Sequence, residues 1–162
     1  MRLSEALSED LIFCNLGVRS KRTLLTQMVR RLVKSGLAAT EEELIDAVLR
    51  RERLQSTGIG RGIAVPHGIA KSVGSLACAL GISPGGVEYG AIDRQPVHLV
   101  FLFVNNKTRD IHYLSLLAAV CRLFESGKLR KKVMSSRNPR EVLDLIQEEE
   151  KRECQFLGSL PA

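Results

Sequence analysis

The chain has 162 residues, 44 % apolar and 26 % charged, and 24 Lys and Arg against 18 Asp and Glu give a formal net charge of +6. That mixture excludes a disordered chain, and the length suits one domain with a sizeable core. A membrane-crossing helix is excluded as well, because the longest strictly apolar run, 99–104, is far short of the ~20 residues needed.

The amino terminus carries Glu5, Glu9 and Asp10 where a secretory signal would be apolar, so the expected location is the cytoplasm. Cys14, Cys78, Cys121 and Cys154 are widely spaced with no C-x-x-C pair. They read as scattered thiols, neither a disulfide framework nor a zinc clip.

In chain order, the first helix is predicted over 20–35. Leu24, Leu25, Met28, Val29, Leu32 and Val33 recur at helical spacing, Ser20 caps the start and Gly36 ends it. A second helix begins at Thr40, where Thr40 and Glu43 have capping-box spacing, and it buries Leu44, Ile45, Val48 and Leu49 before ending near 51–54. The glycine-rich QSTGIGRG reads as a loop, and 63–65 as a strand that Pro66 terminates. Strands follow at 76–82 and 87–89, with a turn at Gly85-Gly86 between them, and at 97–104, apolar enough to be covered on both faces. A long helix over 109–125 is expected to bury Ile111, Leu114, Leu117, Ala118, Cys121 and Phe124. A basic helical piece at 128–134 comes next, and Asn138-Pro139 starts a last helix through about 150. The expected fold is a single α/β domain over 1–150, a mixed β-sheet flanked by helices on both faces, with 151–162 as a frayed tail.

The segment with the strongest chemical signal is RERLQSTGIGRGIAVPHG, residues 51–68. Pro66 sets the direction of the chain into His67, and Gly68 permits close backbone approach or positive φ. Gly58, Gly60 and Gly62 allow a loop to fold over the imidazole and offer bare N–H groups to an anion. The segment lacks the G-x-x-x-x-G-K-[ST] phosphate cradle and the last glycine of the dinucleotide fingerprint. His112 falls in the first turn of the helix after the 97–104 strand, just past the strand's carboxyl end, where open α/β sheets place ligands. His98 alternates within that strand and reads as structural.

Taken in order, Arg51, Ser56-Thr57-Gly58-Ile59-Gly60, Pro66-His67-Gly68, Asp93-Gln95-Pro96 and His112 resemble enzyme IIA of the fructose–mannitol type. These are phosphocarrier domains of the bacterial phosphotransferase system, and the nitrogen-regulatory members are single domains of about this length. The resemblance runs from the first helix to about residue 148. It implies that the tele nitrogen of His67 accepts a phosphoryl group from the phosphohistidine of an HPr-like carrier, with His112 supporting and Arg51 stabilising the phosphate. It implies a phosphate loop of Thr57, Gly58, Gly60 and Gly68, with no metal and no cofactor. The expected outlets are a IIB domain or, in a stand-alone regulatory form, partners such as a kinase or transporter. Arg61 and His98 depart from the Asn and Asp common in the family.

A rival reading is a basic module that binds nucleic acid or another partner without phosphotransfer, through the runs RRER and KLRKK. Aromatic residues for base stacking are scarce at 4 %, with no Trp, and a basic run at helical spacing is ordinarily a solvated face, so nucleic acid is not the expected partner.

Overall fold

The structure, a computed structural model, describes residues 1–107 and 110–158. In chain order the elements are α1 (Leu3–Ala6), a 3-10 turn (Glu9–Leu11), β1 (Ile12–Phe13), α2 (Lys21–Lys34) and α3 (Glu41–Leu54), then β2 (Gly58–Gly60), β3 (Ile63–Ala64), β4 (His67–Ile69), β5 (Ala77–Val87) and β6 (Val97–Asn105), and finally α4 (Ile111–Leu123), α5 (Gly127–Ser135) and α6 (Pro139–Gly158).

The architecture follows from the sequence VHLVFLFVN of β6. Its side chains alternate between faces, and both faces are buried. Val100, Leu102 and Val104 pack with Leu24, Leu25 and Met28 of α2 and Leu44 and Val48 of α3. On the opposite face Leu99, Phe101 and Phe103 pack with Leu116, Val120 and Leu123 of α4, Val133 of α5 and Ile146 of α6. The result is a mixed sheet with helices on both faces, as expected. Strand order is β1-β5-β6-β3-β2, and β4 also pairs with β6. The β5–β6 pair is antiparallel. Along the other edge of β6, β3 and β4 run parallel to it, β3 against Leu99 and Val100 and β4 against Phe103, Val104 and Asn105. Among the described residues, no helix is long and apolar enough to cross a membrane.

Several local expectations are corrected. The Thr40–Glu43 capping box does not form: Thr40 makes no side-chain cap bond, because Glu43 turns away to accept the backbone N–H groups of Lys71 and Ser72 at 2.9 and 3.2 Å. The QSTGIG loop is partly strand β2, which forms a hairpin with β3 through Arg61 and Gly62, both at positive φ. Instead of a strand, turn and second short strand at 76–89, there is one long β5. It bulges between Ile82 and Val87, where four residues face His98 alone on β6. Ser83 O lies 3.0 Å from His98 Nδ1 in that bulge, so His98 is held as a structural residue.

The buried face of α4 also differs. Leu116, Ala119, Val120 and Leu123 are inside, whereas Ile111 and Leu114 are 75 % and 61 % exposed and Cys121 is exposed. IHYLSLLAAVCRL is apolar on nearly every side, so its spacing does not select a face; contact with β6 does. The predicted start at Arg109 lies outside the described residues. Finally, α6 continues to Gly158 rather than ending near residue 150; the remainder of the predicted tail, 159–162, lies outside the described residues.

Candidate functional site

Two local features bring α3 and β4 together. Pro66 cannot donate to the sheet ladder, so β3 ends before it and His67 opens a new strand level with Phe103, near the carboxyl end of β6. Gly68 follows, and a Cβ there would lie 2.7 Å from Val48 Cγ2 and 3.2 Å from the Val48 backbone nitrogen. The glycine is therefore required for close approach of strand to helix, not for a positive φ. With Val48 against Gly68, the last turn of α3 carries Arg51 to the imidazole.

Arg51 Nε donates to His67 Nε2 at 3.0 Å, while Arg51 Nη1 is anchored on the Gln55 carbonyl at 3.0 Å. The other ring nitrogen, Nδ1, is 3.2 Å from the Val65 carbonyl. A carbonyl can only accept, so Nδ1 carries the proton and Nε2 the lone pair. Tyr113 of α4 lies against the ring, with centroids 5.4 Å apart and planes tilted by 44°, and it meets Phe103 edge-on at 5.5 Å. Alongside is a cavity of about 140 Å³ lined by His67, Ile69, Leu76, Phe103, Asn105 and Tyr113. Its far side is fixed by Asp110, which accepts from Asn105 Nδ2 at 2.7 Å and caps α4 by accepting from the His112 backbone N–H at 2.8 Å.

Partial burial holds the His67 imidazole below the usual histidine range; the Arg51 guanidinium acts in the same direction, and the Val65 carbonyl and Glu52 carboxylate oppose it. At neutral pH the ring is neutral, with a nucleophilic nitrogen directed at a guanidinium. That arrangement suits acceptance of a planar, anionic group by in-line attack.

The other predicted residues are distributed unevenly. His112 occupies the exposed first turn of α4, adjacent in sequence to Tyr113, and among the described residues its ring makes no hydrogen bond. The four residues expected to form a phosphate loop do not present a row of free N–H groups. Thr57 gives both its N–H and its hydroxyl to Glu52. Gly58 donates to Ser56 Oγ at 3.3 Å and is packed so closely that a Cβ would lie 2.7 Å from Ala91. Gly60 is in the β2–β3 hairpin, and Gly68 is paired beside Val104. The basic run KLRKK is on α5, where Arg130 donates to the Phe124 and Glu125 carbonyls at the end of α4.

Two residues at the site were not anticipated. Tyr113 has no distinguishing sequence signal beyond adjacency to His112. Glu52 does have one: it stands four residues after Val48, on the stripe that the helical periodicity assigns to the interior, and a carboxylate there requires partners.

Residues 5–149 match the family model described as phosphoenolpyruvate-dependent sugar phosphotransferase system, EIIA 2. The chain is 32 % identical over 151 residues to the PTS system fructose-specific EIIABC component of Bacillus subtilis, covering 93 % of this chain but only 24 % of that longer relative. The crystal structure of nitrogen regulatory protein IIA-Ntr from Neisseria meningitidis superposes with a TM-score of 0.80 at 26 % identity, covering 89 % of this chain and 98 % of that one. Enzyme IIA mannitol from Escherichia coli, in its complex with phosphorylated enzyme IIB mannitol, gives a TM-score of 0.75 at 25 % identity and covers 88 % of this chain and 97 % of that one.

Proposed function

The chain belongs to the EIIA 2 family of the phosphoenolpyruvate-dependent sugar phosphotransferase system, and from that premise we propose that it carries a phosphoryl group on Nε2 of His67. The observation that carries this reading is the pair of contacts on the ring: Val65 holds the proton on Nδ1, and Arg51 sits at the nitrogen that must attack.

The donor is a phosphohistidine carrier of the HPr type. As it approaches, the Arg51 Nε–H leaves the Nε2 lone pair and turns to the phosphoryl oxygens, its Nη1 still tethered to Gln55. The bond from Nε2 to phosphorus forms while the donor's N–P bond breaks, and the electron pair returns to the donor imidazole, which takes up a proton from solvent water. His67 keeps its Nδ1 proton on Val65. The transition state is loose with charge spread over three oxygens, so the protein contributes mainly position and positive charge. His112, exposed in the first turn of α4, takes the supporting role in this reading, its ring a possible donor to the phosphoryl oxygens. The group then passes to a IIB-type acceptor, or its presence biases a regulatory partner by converting a neutral ring to one bearing a dianion.

Incubation with phosphoenolpyruvate, enzyme I and HPr, followed by intact-mass measurement, should add one phosphoryl group, labile in acid and stable in base, and none in His67→Ala. A His67→Ala protein that is still phosphorylated would overturn the proposal.

A further inference from the structure

Beneath the His67–Arg51 pair is a carboxylate that the transfer chemistry does not use. Glu52 is 6 % exposed, and its two oxygens accept four donors. Lys21 Nζ and the Thr57 backbone N–H reach Oε1 at 3.0 Å each, while the Thr57 hydroxyl and Tyr89 Oη, the latter at 3.2 Å, reach Oε2. Lys21 also lies over the Tyr89 ring, 4.6 Å from its centroid. Burying a charge is costly even when it is paired, and apolar residues of similar volume are often the more stable choice. Such a group therefore calls for an account beyond stability.

The hydrogen bonds that leave this cluster supply one. The Thr57 carbonyl accepts from Val65 N at 3.0 Å, and the Val65 carbonyl accepts from His67 Nδ1 at 3.2 Å. On the other side, Arg51 is held by the Gln55 carbonyl, in the same short connection that Glu52 pins through Thr57. Arg51, Gln55, Thr57, Val65 and His67 thus form a closed circuit, with Glu52 fixing the segment both arms share. Consecutive residues of a helix point about 100° apart, so the last turn of α3 delivers Arg51 to the imidazole and Glu52 to the backbone behind it.

We propose that Glu52 is a positioning residue for phosphoryl transfer: through Thr57 and Val65 it holds the His67 ring in the Nδ1–H tautomer, with Nε2 presented to Arg51 and the incoming group. This rests on the reading of His67 as the phosphoryl acceptor.

The test uses the full chain as Glu52→Gln and as the double variant Glu52→Gln with Lys21→Met, which removes both charges of the pair. Long-range proton–nitrogen spectra of the unphosphorylated proteins report the His67 tautomer, and single-turnover acceptance from phosphorylated HPr reports the rate. A carboxamide cannot accept from four donors. In Glu52→Gln, therefore, both tautomers become populated and the maximal rate falls roughly 10–100-fold, the scale of a small misplacement, with half-saturating donor concentration unchanged. The double variant recovers melting temperature but neither tautomer nor rate.

Wild-type tautomer or wild-type rate in Glu52→Gln overturns the proposal. So does a double variant that restores both, because the fault then lay in an unpaired Lys21. If Glu52→Gln does not fold, the double variant alone decides by the same two readouts. Should the wild-type chain accept nothing from phosphorylated HPr, the functional reading fails, while the tautomer comparison still decides whether Glu52 positions the ring.

Discussion

At the scale of single residues, the protonation of His67 governs what the site can do. Its pKa is depressed, chiefly by burial. The unfolded chain therefore takes up this proton at a higher pH than the native one. The associated stability is present above the ordinary histidine value of about 6.5 and is lost as the pH falls through the lower native value. The same depression keeps the nucleophile available in mild acid. The low-pH limb of phosphoryl acceptance is expected below pH 6.5, measured as rate against pH and as a ring titration by NMR; a midpoint at or above 6.5 would contradict the burial argument. Arg51 is a second single-residue test. It donates from Nε to His67 and from Nη1 to Gln55 at once, which a lysine cannot do. Arg51→Lys should slow acceptance on the order of 10–100-fold while leaving the melting temperature nearly unchanged, since it keeps the charge but loses the tethered donor.

At the scale of elements, the site depends on how closely α3 approaches β4. Only a residue without a Cβ fits beside Val48, where the backbone nitrogen itself is 3.2 Å from the position a methyl would take. Gly68→Ala should therefore destabilise the fold by about 1–3 kcal/mol and slow phosphoryl acceptance as well, because it moves the Arg51-bearing turn away from His67. Urea unfolding and single-turnover rates check both halves; an alanine variant with wild-type stability would show that the helix yields freely. At this scale the sequence was partly legible. Helices α2 and α3 and strand β6 announce themselves through periodicity and apolar runs. The face of α4 and the continuity of β5 do not: an apolar helix offers several equivalent faces, and a Gly-Gly pair suits a bulge as well as a reversal.

For the molecule as a whole, the two cores on either side of β6 keep the strand ends rigid. Phe101 is fully buried and meets Phe124 edge-on, with centroids 4.9 Å apart. Phe101→Ala should cost roughly 3–5 kcal/mol, read as a lowered denaturant midpoint, while the His67 tautomer stays as it is in the fraction that remains folded. The first and last helices are joined by Glu150, buried and accepting from Leu3 N at 2.8 Å and Ser4 N at 3.3 Å.

What the chain's own order of residues determined was the α/β class, the helices with a clear apolar stripe, and the spacing of Arg51, Pro66-His67-Gly68 and His112. These are local properties, written in periodicity and in backbone chemistry. What only the tertiary structure decided was which groups meet: Arg51 on Nε2, Val65 on Nδ1, Tyr113 against the ring, and Thr57 on Glu52. Such contacts arise where β4 pairs with β6 and α3 packs on β4, between segments that no local pattern connects.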